Sequence, residues 1–112
     1  MPKIALTVKS EGNNELVIDE RFGRAERFLV YDTETDTSEI IENPNVNAAH
    51  GAGIQTANFV ADMRVAAVIS VNFGPKASAT LSARNIRMFQ AYNMSVNTAI
   101  ENFKANKLPE FK

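Results

Sequence analysis

The sequence has 112 residues, 45% of them hydrophobic, and its 12 basic and 13 acidic side chains leave a formal net charge of −1. That size suits one core and a single domain spanning 1–112, and the near-neutral balance gives neither nucleic acid nor an anionic membrane a bulk attraction. The absence of cysteine excludes disulfides, thiolate nucleophiles, zinc knuckles and all-thiolate iron–sulfur ligation. The opening residues are too short and too alternating for a signal peptide and no stretch is long enough to span a membrane, so a soluble cytoplasmic protein is expected.

Ile4, Leu6 and Val8 alternate with Ala5 and Thr7 at the period of a strand, and a polar stretch with Gly12 follows. A short extended piece at 16–18 leads into residues 19–25, and the aromatic-rich run 28–32 reads as a second strand. Turn formers at 33–37 and the apolar pair Ile40 and Ile41 predict a third strand at 39–43, which completes an antiparallel meander. Beyond Pro44 and a loop through 45–53, Ile54, Ala57, Val60 and Ala61 share one face of a helix ending near 63–64. The almost unbroken apolar run 65–71 reads as a fourth strand covered on both faces. Pro75 suits the first position of a second helix, which Asn85 can close in the left-handed conformation. Residues 86–91 form a fifth strand; Ser95 then caps a last helix with Val96, Ala99, Ile100 and Phe103 on one face and Asn106 at its end.

Right-handed crossovers leave few ways to fold this order. The expected architecture is α/β, a three-layer α/β/α fold whose five-stranded mixed sheet has the order 3-2-1-4-5 with only the second strand antiparallel. The exits from the first, third and fourth strands then meet at one edge, beside the switch point between strands one and four, where open α/β sheets bind ligands. These exits carry residues 21–25, 45–53 and 72–76. Two of them feed helix N-termini, which favour an anion, and Gly51, Gly53 and Gly74 permit close backbone approach. Arg21, Arg24 and Lys76 offer charge-assisted hydrogen bonds.

The segments Arg21-Phe22-Gly23-Arg24-Ala25 with Phe28, Gly51-Ala52-Gly53-Ile54-Gln55 and Gly74-Pro75-Lys76-Ala77 resemble the signatures of the dinitrogenase iron–molybdenum cofactor biosynthesis family. That is the family of the nitrogenase accessory proteins NifX and NafY and of the tail domain of NifB. The resemblance runs from Ile4 to Leu108. It implies a ribonuclease-H-like fold and the carriage of an anionic iron–sulfur cofactor precursor between cluster-assembly proteins. Asn85 and Asn106 stand where family members often have glycine, and Phe73 and Lys76 replace residues that are usually smaller or uncharged.

The candidate binding residues are Arg21, Phe22, Gly23, Arg24, His50, Gly51, Gly53, Asn72, Gly74 and Lys76. His50, the only histidine, is the candidate metal ligand, since neutral imidazole ligates iron; its other reading is a solvated loop side chain, and the resemblance strengthens the ligand reading. Arg21 and Arg24 hold sulfides or carboxylates of a bound cluster in one reading and pair with Asp19, Glu20 or Glu26 in the other. Phe22 reads as a packing anchor, Asn72 as a helix cap, and Met88 and Met94 as core. A two-metal nuclease requires carboxylates at the sheet centre, and neither residues 3–8 nor residues 65–70 contain one. A serine hydrolase would need a serine in a strained elbow, and none is present. The chain is expected to be a binding module rather than an enzyme, a monomer or weak homo-oligomer. A carrier of a cofactor precursor is the first reading; a binder of a small phosphorylated or carboxylated metabolite and a protein-interaction adaptor are the alternatives.

Overall fold

Five consecutive residues of the first strand, 4–8, are buried, so this strand is covered on both faces and sits at the centre of the molecule. The computed structural model describes residues 3–12 and 15–111. Its strands are β1 (Lys3–Glu11), β2 (Glu15–Ile18), β3 (Arg27–Asp32), β4 (Thr37–Glu42), β5 (Ala67–Ser70) and β6 (Arg87–Gln90), and its helices are α1 (Ala52–Asp62), α2 (Pro75–Ala83) and α3 (Val96–Lys104). The main sheet runs β4-β3-β1-β5-β6. β3 is antiparallel to β1 and β4, whereas β5 and β6 run parallel to β1.

The expected strand order and directions therefore stand, but the strand count is six rather than five. Leu16, Val17 and Ile18, read from sequence only as an extended piece, belong to β2, which folds back on the far half of β1 with Val8 opposite Ile18 and Glu11 opposite Glu15. The first strand consequently does not run straight into the arginine-bearing loop. The chain makes a hairpin and returns to the middle of β1 before residues 19–25 begin.

Two cores flank the sheet. On one face Ala57 and Val60 of α1 and Ala77 and Leu81 of α2 pack with Ala5, Phe28, Val68 and Met88. On the other, Val96 and Ala99 of α3 pack with Ile4, Leu6, Leu29 and Ile69. Fully buried side chains such as Leu81, Ile69 and Phe28 contribute about 2 kcal/mol each through removal from water. Arg84 joins the two helices of one layer by donating to Asn58 Oδ1 at 3.0 Å and Asp62 Oδ1 at 3.1 Å.

Helix ends follow local chemistry. Asn85 and Asn106 adopt φ of 62° and 60°, Pro75 opens α2, and Ser95 Oγ accepts the Thr98 N–H at 3.2 Å. Ile54 is the exception. The helix begins at Ala52 and buries Ala52, Thr56, Ala57, Val60 and Ala61; Ile54 lies about 200° round the helix from Ala52 and is 38% exposed. Among the described residues no helix is long and apolar enough to cross a membrane.

Candidate functional site

Residues 19–25 are anchored from below. Asp19 N–H donates to Thr7 O at 2.8 Å, and Asp19 O accepts from Thr7 Oγ1 at 2.8 Å and Ser70 Oγ at 3.4 Å, which ties the segment to β1 and β5. The Asp19 side chain is only 2% exposed. Its Oδ1 accepts from the Arg21 N–H at 3.0 Å and Arg21 Nε at 3.4 Å, while Oδ2 is buried without a partner. An aspartate bonding the backbone two residues on fixes a tight turn. The Arg21 side chain, pinned at its Nε end, remains 61% exposed.

Phe22 drops into the core and meets Phe28 at 5.7 Å and Phe73 at 5.5 Å between ring centroids. Gly23 then crosses the start of α1 so closely that a Cβ there would lie 2.9 Å from Gly53 Cα and 3.0 Å from Gly53 N. Only glycine fits without displacing one backbone from the other. Two buried polar side chains hold this crossing. Thr56 Oγ1 donates to Gly23 O at 3.0 Å, and Asn43 Nδ2 donates to Ala25 O at 2.8 Å and Gly23 O at 3.3 Å. Arg24 reaches the next loop, donating from Nη1 to Val46 O at 3.0 Å and Ala48 O at 2.8 Å.

The helix starts complete the arrangement. Gly51, at φ 69°, precedes α1, and Gly74 precedes α2; neither helix has a side-chain cap bond or an acidic residue in its first turn. α3, which starts at the same edge but packs on the opposite face of the sheet, is capped by Ser95. Uncapped first-turn amides and the positive end of the helix dipole attract an anion. Gly51, Ala52, Gly53, Gly74 and Lys76 join Glu20, Arg21, Phe22, Gly23, Arg24 and Asn72 around a concavity of about 540 Å³. The acid at its rim, Glu20, is taken by Lys9 Nζ at 2.6 Å, whose hydrogen bond holds the Glu20 carboxyl below the usual carboxylate range.

The family model described as dinitrogenase iron–molybdenum cofactor matches residues 2–106. The chain belongs to this family. It is 36% identical over 98% of its length to an uncharacterised protein of Methanocaldococcus jannaschii, covering 92% of that protein. Among solved structures it is similar to the apo form of the orange protein from Desulfovibrio gigas, at a TM-score of 0.90 and 32% identity over 99% of this chain and 93% of that one. It is also similar to a Thermotoga protein assigned provisionally to NifB, at a TM-score of 0.81 and 30% identity over 98% of this chain and 93% of that one.

The segments 21–24, 51–53 and 74–76, distant in sequence, thus meet at one surface. His50 does not line the concavity: it is exposed on the loop immediately before Gly51, where its carbonyl accepts from Gln55 Nε2 at 3.4 Å. Among the described residues no group of three His, Cys, Asp or Glu could hold a metal ion. Asn72 does not cap α2, because the cap position belongs to Gly74 and makes no side-chain bond; Asn72 instead lines the concavity. Phe22 packs as an anchor, Met88 is buried, and Met94 packs partly buried against the α3-side core. Of the charge pairs weighed, Arg21 with Asp19 forms, whereas Arg24 uses backbone carbonyls. The supporting residues Asp19, Asn43 and Thr56 carry no sequence signal of this role: Asp19 sits in a run resembling a solvated charged loop, and the Asn43–Thr56 contact joins residues 13 apart.

Proposed function

We propose that the protein is a carrier rather than an enzyme, and that its cargo is an anionic iron–sulfur cluster of the iron–molybdenum cofactor precursor type, seated in the concavity between the three loops. The single observation that carries this reading is the convergence of two uncapped helix starts with Arg21, Arg24 and Lys76 on one concavity. Such a donor set holds an anion by charge and backbone N–H groups, without requiring thiolates. Arg21 presents the free end of its guanidinium, Lys76 adds an exposed ammonium on a flexible stem, and Gly74, with nothing within 4 Å of where a Cβ would stand, leaves the start of α2 open to approach. His50, one residue from the Gly51 edge, is the candidate for direct iron ligation as the cargo settles. Membership of an iron–molybdenum cofactor family and a structural relative described in an apo form both support a protein that takes up and yields a ligand. The partners of such a carrier are cluster-assembly proteins.

The test is anaerobic incubation of the parent and of His50→Ala with an extracted iron–sulfur cofactor precursor, followed by desalting, iron analysis and a visible spectrum. Retained iron and broad visible absorption in the parent support the carrier reading, and their loss in His50→Ala assigns His50 as a ligand. A parent that stays colourless and iron-free, yet gains thermal stability with a phosphorylated or carboxylated metabolite, refutes cluster carriage in favour of a metabolite binder.

A further inference from the structure

We propose that Phe111 is a positioning residue for the anion site, acting through Phe73, although Phe111 itself does not line the concavity. This rests on the anion reading of that concavity. The connection from β5 to α2 contributes Asn72 and Gly74 to the site, and α2 begins without a side-chain cap. Between those two residues, Phe73 turns its ring away from the site and into the core. Its centroid lies 5.5 Å from that of Phe22, which itself lines the site, and 5.3 Å from that of Phe111. Phe22 continues the row to Phe28. A line of four rings therefore runs from β3 beneath the site to residue 111.

The outer ring is held independently of the site. Residues 109–111 lie along the free edge of β6, where Glu110 bridges Phe89. Gln90 N–H donates to Pro109 O and Phe111 N–H to Met88 O, both at 2.9 Å. Arg87 donates from Nε and Nη2 to the two carboxylate oxygens of Glu110 at 3.0 and 2.9 Å. Beside this strap a groove of about 840 Å³ is lined by Phe73, Pro75, Ile86, Met88 and Phe111, among others. Phe73 and Phe111 line that groove side by side, so loss of the Phe111 ring would widen it against Phe73 and remove a ring contact that holds Phe73 in place. Asn72 and Gly74 would then lose the fixed positions that make an amide-lined site preorganised, and preorganisation is what a shallow site depends on for affinity.

The experiment is backbone-amide hydrogen exchange by NMR on the ligand-free protein, paired with anaerobic optical titration with the extracted cluster, for the parent, Phe111→Ala and Phe111→Tyr. In Phe111→Ala, exchange at Phe73 and Gly74 is expected to accelerate about fivefold beyond the rest of α2 and β6, and cluster affinity to fall about fivefold. Phe111→Tyr, which keeps the ring, restores both. A merely structural role would lower the melting temperature and raise exchange evenly, leaving affinity unchanged; that result overturns the proposal. Should Phe111→Ala fail to fold, Phe111→Leu is expected to show the same local pattern at smaller amplitude, and an even pattern in it overturns the proposal equally. If the parent binds no cluster, the functional reading fails separately, and exchange at Phe73 and Gly74 alone decides whether Phe111 fixes the loop.

Discussion

Replacing Gly23 by alanine probes the contact on which the site is built. The added methyl would stand 2.9 Å from Gly53 Cα, 3.0 Å from Gly53 N and 3.3 Å from Ala52 C. All three atoms are backbone, so no side chain can swing aside. Either the loop lifts or the start of α1 retreats, against the Thr56 and Asn43 hydrogen bonds that clamp Gly23 O and Ala25 O. Overpacking of this kind costs about 2 kcal/mol, and a domain of this size loses about 8 °C of melting temperature for that cost. Thermal unfolding followed by circular dichroism reads the difference directly. A melting temperature within a degree of the parent would show that the crossing is not tight and would refute the argument that glycine is required there.

Three further outcomes follow from the same geometry. Asn43→Ala leaves Ala25 O without its side-chain donor and weakens the hold on Gly23 O; it is expected to cost about 2 kcal/mol, measurable by urea unfolding. Gly74→Ala meets nothing within 4 Å at an ordinary φ of −68°, so stability should be unchanged or slightly raised, while cluster retention on desalting should fall because the methyl occupies the approach to the α2 amides. The Lys9–Glu20 bond lowers the folded-state pKa of Glu20, so its contribution is present above the unfolded value of about 4.3 and is lost as pH falls through the lower folded value. The stability difference between the parent and Glu20→Gln, followed by unfolding at a series of pH values, should therefore shrink to nothing in acid.

Much of this arrangement is legible in the sequence because local chemistry and chain topology agree. Asn85, Asn106, Ser95 and Pro75 mark helix ends by conformational and capping preferences that do not depend on the rest of the fold. Once the strand order is fixed, right-handed crossovers carry the loops after β4 and β5 to one edge. What escapes notice depends on contacts between distant residues. β2 has only four residues and becomes a strand by pairing with β1. Asp19 is buried because Thr7 and Ser70 take its carbonyl, and nothing in an Asp-Glu-Arg run announces this. Ile54 misleads because the buried arc of α1 centres on Thr56 and Val60, and Ile54 falls at its margin beside Ala61 although it fits the apolar spacing. His50 lies in the right loop, but a loop assignment does not fix the side of the rim to which its side chain belongs.

The most direct test of cluster carriage at this site is an iron anomalous difference map from crystals of the cluster-loaded protein grown without oxygen. The account predicts iron density inside the concavity, bounded by Arg21, Gly53, Gly74 and Lys76. Iron bound at any other surface, or none retained in the crystal, would contradict it.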